Sequence, residues 1–331
     1  MNATCSMSSS TAPVLAATRR RPVQELLGLD AGDRCERERV DGEPRRPGRH
    51  HVAGPGHERA ELGGVAPTDR ILLREPDKNT LDATLALLQA RLASTSARTE
   101  LVFYYSGHAD EVGLLLGRER YPFRDLRQRL DGISVDLRLV IVDACASGAI
   151  IGQRAKGGTF TSPFMGDGAL TGHAYFTSAA ADEVAQESDR LEASFFTHDL
   201  IAGLRGAADH DRDRTVTLTE AYRYAFDATL ARTQATRSPQ HPVWDIGLTG
   251  AGDVVLTRLD RPSARLVLAA SLSGRFFVRG PAGALVIEVD KGAGEALELA
   301  LPPGTWRVGY NKGGRRLEAA VLADGAPITL N

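Results

Sequence analysis

The sequence has little cysteine, few aromatic residues and no long apolar run. Its three cysteines, Cys5, Cys35 and Cys145, follow no metal-ligand spacing. They therefore exclude a disulfide framework and a cysteine-rich zinc site, and they favour a reducing cytoplasm. The longest uninterrupted apolar runs have five residues, as in Leu101–Tyr105, whereas about 18 are needed to cross a bilayer. We therefore expect a soluble cytoplasmic protein.

An excess of charge of one sign is also missing. The 40 basic and 42 acidic side chains leave a formal charge of −2, which gives no electrostatic reason to expect a nucleic-acid partner or a polybasic membrane anchor. The short apolar stretch Ala12–Ala17 is followed by arginines rather than preceded by them, so it does not predict a secretory signal.

Composition and periodicity divide the chain into three parts. Residues 1–60 are rich in arginine, proline and glycine and lack apolar periodicity, which predicts an irregular or disordered arm. Residues 61–258 alternate strands such as Ile71–Leu73, Leu101–Tyr105 and Leu137–Val142 with helices. Strands that are apolar on both faces predict an α/β domain with a mostly parallel sheet flanked by helices. Residues 262–331 hold short strands separated by glycine and proline turns, which predicts a small all-β sandwich joined through Asp260–Ser263.

Two strand ends carry the chemistry. The first strand breaks into Ser106-Gly107-His108, and the second into Asp143-Ala144-Cys145 followed by Ala146-Ser147-Gly148. A strand–helix–strand crossover would make these strands parallel and would bring both breaks to the carboxyl edge of the sheet. A thiol beside an imidazole is the minimal nucleophile–base pair for acyl transfer. Backbone N–H groups at Cys145 and just after His108 could then form an oxyanion hole.

These two blocks resemble the histidine and cysteine blocks of the caspase-like peptidases, and they are more similar to those of metacaspases and bacterial relatives than to those of animal caspases. Over roughly residues 61–258, the resemblance implies the caspase–haemoglobinase α/β fold, protein or peptide substrates, and a cysteine endopeptidase with His108 and Cys145 as its catalytic dyad. It also assigns the backbone N–H of Ala109 to the oxyanion hole and requires no cofactor for the chemistry. The family opens with an apolar strand that residues 20–60 lack. Two explanations stay open: a divergent arm, or a coding start or frame that is wrong here.

The substrate pocket is predicted from the period-two geometry of a strand. Asp143 shares a face with Cys145, and Ser106 shares one with His108. A partly buried carboxylate is costly without a cation, so we expect cleavage after arginine or lysine. Metacaspases, which cut after basic residues, carry the same aspartate. Asp182 would add a second acid or be a solvated loop residue, and the alternative for Asp143 is a pairing with an internal arginine.

Two further segments have both a functional and an ordinary interpretation. Arg154 and Lys156, in a glycine-rich tract, are candidate processing sites or scattered loop charges. The segment from Asp209 to Glu220 matches a calcium-binding EF-hand loop in its acidic positions. The candidate calcium ligands, which could alternatively form a solvated helix cap, are Asp209, Asp211, Asp213, Thr215 and Glu220. Arg214 stands where such loops have glycine.

The alternative to an enzyme is a caspase-like scaffold that acts through the C-terminal sandwich as a binding module. Retention of both His108 and Cys145 favours the enzyme, since a scaffold needs neither. The sequence does not indicate a partner for the sandwich.

Overall fold

The computed structural model describes residue 69 and residues 71–331, except for positions 95, 97, 153–169, 189–192, 237, 260–263, 282, 313 and 314. The predicted N-terminal arm, the predicted linker Asp260–Ser263, and the candidate processing residues Arg154 and Lys156 lie outside the described residues. Among the helices that are described, none has the length and apolarity required to span a membrane.

Helices and strands alternate in the first part of the chain, as the apolar pattern predicts. The elements are α1 (Lys78–Ala93), β1 (Glu100–Ser106), β2 (Gly113–Leu116), β3 (Glu119–Pro122), α2 (Phe123–Asp131), β4 (Leu137–Asp143), β5 (Thr171–Thr177), β6 (Glu187–Ser188), β7 (Ala193–Ser194), α3 (Phe195–Ala202), β8 (Thr215–Thr217), α4 (Leu218–Thr233), β9 (Val243–Thr249) and β10 (Val255–Arg258).

A four-stranded sheet of order β1-β4-β5-β9 forms the centre of this region. The strands β1, β4 and β5 are parallel, and β9 is antiparallel at the edge. This sheet, with helices on both faces, confirms the predicted α/β fold. The segment Ile71–Leu73, which was predicted as a strand, has no strand pairing. Its Ile71 and Leu73 instead pack against one of the two cores.

Alternate residues of the central strands point to opposite faces of the sheet. On one face Phe103, Val140 and Tyr175 join the leucines of α1 and α2 in one buried cluster. On the other face Tyr104 and Ile141 pack with residues of α3 and α4. Both faces are therefore covered, which explains why the strands β1 and β4 are apolar without alternation.

The described residues of the C-terminal part of the chain form strands that are arranged in two sheets. The sheet orders are β14-β11-β17 and β13-β12-β15-β16, and the two sheets bury a shared core that includes Leu266, Leu299, Phe276 and Val308. This confirms the predicted C-terminal β region. Its strands are β11 (Ala264–Leu268), β12 (Gly274–Arg279), β13 (Leu285–Lys291), β14 (Leu297–Leu301), β15 (Gly304–Lys312), β16 (Arg315–Ala323) and β17 (Pro327–Leu330).

A buried ionic network joins the sandwich to α3 and α4. The carboxylate of Asp199 on α3 accepts hydrogen bonds from Arg232 Nε at 3.1 Å to each oxygen. Arg232 also donates to the backbone carbonyl of Glu288 on β13 at 3.3 Å. The side chains of Asp199 and Glu288 are 0% and 1% exposed, so the network is shielded from water and from salt.

A close backbone approach completes this contact. The π-helical turn Gly203–Ala207 follows α3, and its Gly206 has a φ of 118°. A Cβ atom at Gly206 would lie 2.4 Å from the carbonyl oxygen of Glu298 on β14. Glycine is required here both by the positive φ and by the contact between the two regions.

Asp199 makes the stability of this contact depend on pH. Burial raises the pKa of Asp199 to about 7, against the lowering effect of Arg232. Between its ordinary value of 3.8 and about 7, the folded chain holds a proton that the unfolded chain lacks. The contribution of Asp199 to the free energy of unfolding is therefore complete below its ordinary pKa and is lost as pH rises through about 7.

We expect the unfolding free energy of the wild-type chain to fall more steeply between about pH 4 and about pH 7 than that of Asp199→Asn. The measurement is urea unfolding at a series of pH values. Asp290→Asn is the control, since that carboxylate lies on β13, on the sandwich side of the contact, and is 66% exposed. Equal slopes of unfolding free energy against pH for wild type and Asp199→Asn would show that Asp199 is not the source of the pH dependence.

Candidate active site

The residues predicted as a dyad follow two paired parallel strands at the same level. Ser106 at the end of β1 is in register with Asp143 at the end of β4, and the N–H of Gly107 donates to the carbonyl of Asp143 at 3.2 Å. His108 and Cys145 each come two residues after this last pair. Both lie at the carboxyl edge of the sheet, and both are partly exposed.

The backbone at His108 is held by two hydrogen bonds. Its carbonyl accepts from the N–H of Leu115 at 2.9 Å and from the hydroxyl of Tyr105 at 2.8 Å. Leu115 belongs to the β2–β3 hairpin, which the sequence did not predict. Ala109 and Leu114 form an antiparallel β-bridge. The hydrogen bonds of this bridge run from Asp110 N–H to the Gly113 carbonyl and from Leu115 N–H to the His108 carbonyl. The N–H of Ala109 therefore takes no part in the bridge.

The turn that follows Cys145 is braced by a second loop. Ala146 has a φ of 52°, and its N–H donates to the carbonyl of Glu183 at 2.8 Å. The N–H of Gly148 donates to the carbonyl of Ala179 at 2.9 Å. A Cβ at Gly148 would lie 2.8 Å from the backbone nitrogen of Ala181. Only glycine allows this approach, so the turn and the loop fit as one unit.

Glu183 is in turn fixed by His241. One carboxylate oxygen of Glu183 lies 2.6 Å from Nδ1 of His241, and the other accepts from the backbone N–H of His241 at 2.7 Å. The loop that braces the Cys145 turn is thus tied to the segment before β9.

Asp143 is more deeply buried than the sequence suggested. Its side chain is 3% exposed, where the strand-end geometry predicted a partly buried group. Its Oδ2 accepts hydrogen bonds from the hydroxyls of Ser194 and Thr197. Among the described residues its Oδ1 has no hydrogen-bond partner. Burial raises the pKa of this carboxyl, and the hydroxyls of Ser194, Thr197 and the nearby Ser178 oppose that rise.

The other predicted pocket residues occupy different surroundings. Ser106 is partly buried and lies in register with Asp143. Asp182 is exposed in the turn that precedes Glu183. Among the described residues, the partners of Asp143 Oδ2 are hydroxyl groups and not the internal arginine of the alternative interpretation.

Sequence reasoning missed Ser194 and Thr197. Ser194 caps α3, and its Oγ accepts the N–H of Thr197 at 3.0 Å. A serine directly before an apolar helical run is a recognisable N-cap signal, and it could have indicated the helix start. It could not have indicated a bond to Asp143.

The acidic loop brings together three of the predicted calcium ligands. Asp209, Asp211 and Asp213 offer carboxylate oxygens within 4.8 Å of one another in the described part of the chain. Burial and the nearby carboxylates of Glu220 and Asp213 raise the pKa of Asp209 to about 6.

The other two predicted ligands make local hydrogen bonds. Glu220 forms a capping box with Thr217 at the start of α4. Thr215 donates its N–H and its hydroxyl to Asp213, both at 2.7 Å. Arg214 has a φ of 64°, as its place in the loop predicts. Calcium binding stays a prediction.

Comparison with known proteins decides the family. The family model for the caspase domain matches residues 68–249, which contain both strand ends, the bracing loop and the acidic loop. The chain belongs to the caspase-domain family. It is therefore a caspase-like cysteine peptidase, a hydrolase that acts on proteins or peptides.

Two other comparisons add little to the caspase assignment. Among solved structures, the chain is similar to caspase-1 from Spodoptera frugiperda, with 13% sequence identity and a TM-score of 0.38 over 56% of this chain and 72% of that one. At this TM-score the likeness adds nothing to the match over residues 68–249. A search of curated proteins finds no match.

The calcium prediction is tested by thermal unfolding of the full chain. If the aspartates close on the ion, millimolar calcium should raise the melting temperature, because a ligand that binds only the folded state stabilises it. Asp211→Asn should remove this rise. Arg214→Gly should enlarge it, because glycine accepts the positive φ and the change removes a cation from the loop.

Magnesium at the same concentration is the control for a non-specific ionic effect. No thermal shift and no calorimetric heat with calcium would leave the loop as a helix cap built on Glu220.

Proposed function

We propose that this chain is an endopeptidase in which Cys145 is the nucleophile and His108 the acid–base partner, and that it cleaves after arginine or lysine. The thiolate of Cys145 would attack the scissile carbonyl, and His108 would protonate the leaving amine. Water would then hydrolyse the thioester, with His108 as general base. This chemistry uses protein groups alone.

The register of β1 and β4 supports the dyad. Ser106 and Asp143 are the last paired residues, so a histidine and a cysteine two residues further along leave the sheet side by side. The hydrogen bonds to the His108 carbonyl and to the Ala146 N–H limit the movement of both loops. Such preorganisation is what a nucleophile–base pair needs.

The backbone supports an oxyanion hole. The N–H of Ala109 takes no part in the bridge with Leu114, and it follows the proposed base directly. Together with the N–H of Cys145, it would supply two donors to the developing oxyanion. Because the donors are backbone groups, alanine at position 109 serves as well as glycine.

The single observation that carries the specificity is the orphan oxygen of Asp143. Oδ2 of this buried carboxylate is held by two hydroxyls, whereas Oδ1 has no hydrogen-bond partner among the described residues. A buried carboxylate is stabilised by a cation. An arginine of the substrate would supply the cation and fixed hydrogen-bond donors, and a lysine would supply the cation. Ser106 and the exposed Asp182 would line the approach to it.

The dyad is tested with purified variants and a peptide substrate. Cys145→Ala should abolish hydrolysis and also prevent labelling by a thiol-reactive peptide inhibitor. His108→Ala should lower kcat by several orders of magnitude, because removing one member of a nucleophile–base unit costs about as much as removing both.

His173→Ala is the matched control for the histidine. His173 lies near the amino end of β5, at the opposite edge of the sheet, and its replacement should leave turnover unchanged. Substantial hydrolysis by Cys145→Ala would exclude the proposed nucleophile.

The specificity is tested with a peptide library that varies only the residue before the cut. Cleavage after arginine and lysine should dominate. Asp143→Asn keeps the shape of the side chain but removes its charge. It should lower kcat/KM for arginine substrates by about 30-fold or more, since losing one partner of a buried charge pair costs about 2 kcal/mol or more.

Asp136→Asn is the matched control, because Asp136 precedes the same strand at its far end, where it accepts from the N–H of Thr99 at 2.6 Å. Cleavage after aspartate, or an unchanged preference in Asp143→Asn, would show that Asp143 does not bind the substrate side chain before the cut.

The scaffold alternative predicts a different result. A chain that acts only as a binding module would show no selective modification of Cys145 by the peptide inhibitor. No specific observation in the described residues favours that alternative.

A further inference from the structure

The first turn of α3 sets the position of Asp143. Ser194 caps the helix, and both Ser194 and Thr197 donate to Oδ2 of Asp143. The hydroxyl of Tyr104 lies 2.9 Å from Thr197 Oγ1, and the Thr197 N–H is bound to Ser194. Hydrogen bonds are directional, so a movement of this turn would move or release the carboxylate.

The same turn packs against the C-terminal sandwich. Phe195, the residue between the cap and the rest of the turn, contacts a small cluster formed by Phe277 of β12 and Leu285 of β13. Phe277 and Leu285 are 8% and 2% exposed. The ring of Phe195 also lies 6.0 Å from the guanidinium carbon of Arg232. This apolar contact packs the start of α3 against the sandwich.

One turn further along, the ionic network fixes the helix to β13. Asp199 is bound by Arg232, and Arg232 reaches the carbonyl of Glu288. Thus α3 is linked to the sandwich at two successive turns, directly at Phe195 and through Arg232 of α4 at Asp199. The hydroxyls of Ser194 and Thr197 at the start of this helix hold the Asp143 carboxylate.

We propose that the C-terminal sandwich positions the specificity pocket, with Phe277 and Glu288 acting through α3 on Asp143. This inference rests on the proposed function of Asp143. The sandwich is then a part of the peptidase rather than a separate module. A misplacement of about 1 Å at a binding group can cost as much as 100-fold in rate, so small shifts of α3 suffice.

The alternation of β12 supplies a matched control. Phe276 and Phe277 are neighbours on this strand and point to opposite faces. Phe276 is stacked on Tyr310 inside the sandwich core, with 4.5 Å between ring centroids. Phe277 faces α3. Replacing either removes the same side chain from the same strand, but only Phe277 belongs to the cluster that packs on Phe195 in the first turn of α3, whereas the cluster of Phe276 reaches the far end of the helix at Ala202.

The experiment compares Phe277→Ala with Phe276→Ala in the full chain, with leucine versions of both made in parallel so that folded pairs are compared. The first measurement is hydrogen exchange of residues 194–199, the part of α3 that precedes the contact of Ala202 with the sandwich core. The second is the ratio of kcat/KM for a peptide with arginine before the cut to that for the same peptide with glutamine. We expect Phe277→Ala to speed exchange in α3 and to lower the ratio about 10-fold, mainly through KM.

Phe276→Ala should lower the melting temperature at least as much as Phe277→Ala but leave both measurements unchanged. Phe277→Leu should restore most of the ratio, and Glu288→Gln should shift it in the same direction as Phe277→Ala. Equal effects of the two alanine variants, or no effect of Phe277→Ala, would overturn the proposal.

Failure of the proposed function is recognised separately. A wild-type chain that does not prefer arginine to glutamine would overturn the role of Asp143. The hydrogen-exchange comparison alone would then decide whether the sandwich holds α3, because it does not depend on substrate.

Discussion

A carboxylate buried at the end of β4 is the constraint on which much of this structure depends. Removing Asp143 from water is costly unless its oxygens are bonded. Two hydroxyls of the α3 turn bind one oxygen, and this requirement fixes where α3 starts relative to the sheet. The other oxygen has no partner among the described residues. Asp143 therefore helps to organise the fold, and it leaves one carboxylate oxygen without a hydrogen bond close in sequence to the proposed nucleophile.

The remaining contacts of the site follow a common pattern. Backbone groups of one loop are bound by another loop that is itself anchored, as in Ala146 to Glu183 and Glu183 to His241. The hydrogen bonds from Leu115 and Tyr105 act in the same way on the His108 carbonyl. The backbone at this edge of the sheet is thus held in place while the side chains of His108 and Cys145, the proposed dyad, stay partly exposed.

The C-terminal sandwich shares this network. Asp199, Arg232 and Glu288 form a buried ionic chain between α3 and β13. Removing Arg232 would leave two buried carboxyl groups without their shared donor, which costs more than the intact network stabilises. The network therefore ties α3 and α4 to β13.

Much of the architecture could be predicted from local sequence. Unbroken apolar runs predicted β1 and β4, and glycine and proline turns predicted the sandwich strands. The β2–β3 hairpin was missed because its residues 113–122 contain only short apolar segments. The apolar run Ile71–Leu73 was assigned as a strand because periodicity does not distinguish a paired strand from an extended segment packed on a core.

The sequence by itself determined that a histidine and a cysteine follow two parallel strands, because strand ends and crossovers are encoded by neighbouring residues. Only the tertiary structure decided what surrounds them. Ser194 and Thr197 are 51 and 54 positions from Asp143, and Phe277 and Glu288 lie in a different region of the chain. Contacts between residues so far apart depend on how helices and sheets pack, and neither periodicity nor a local motif contains that information.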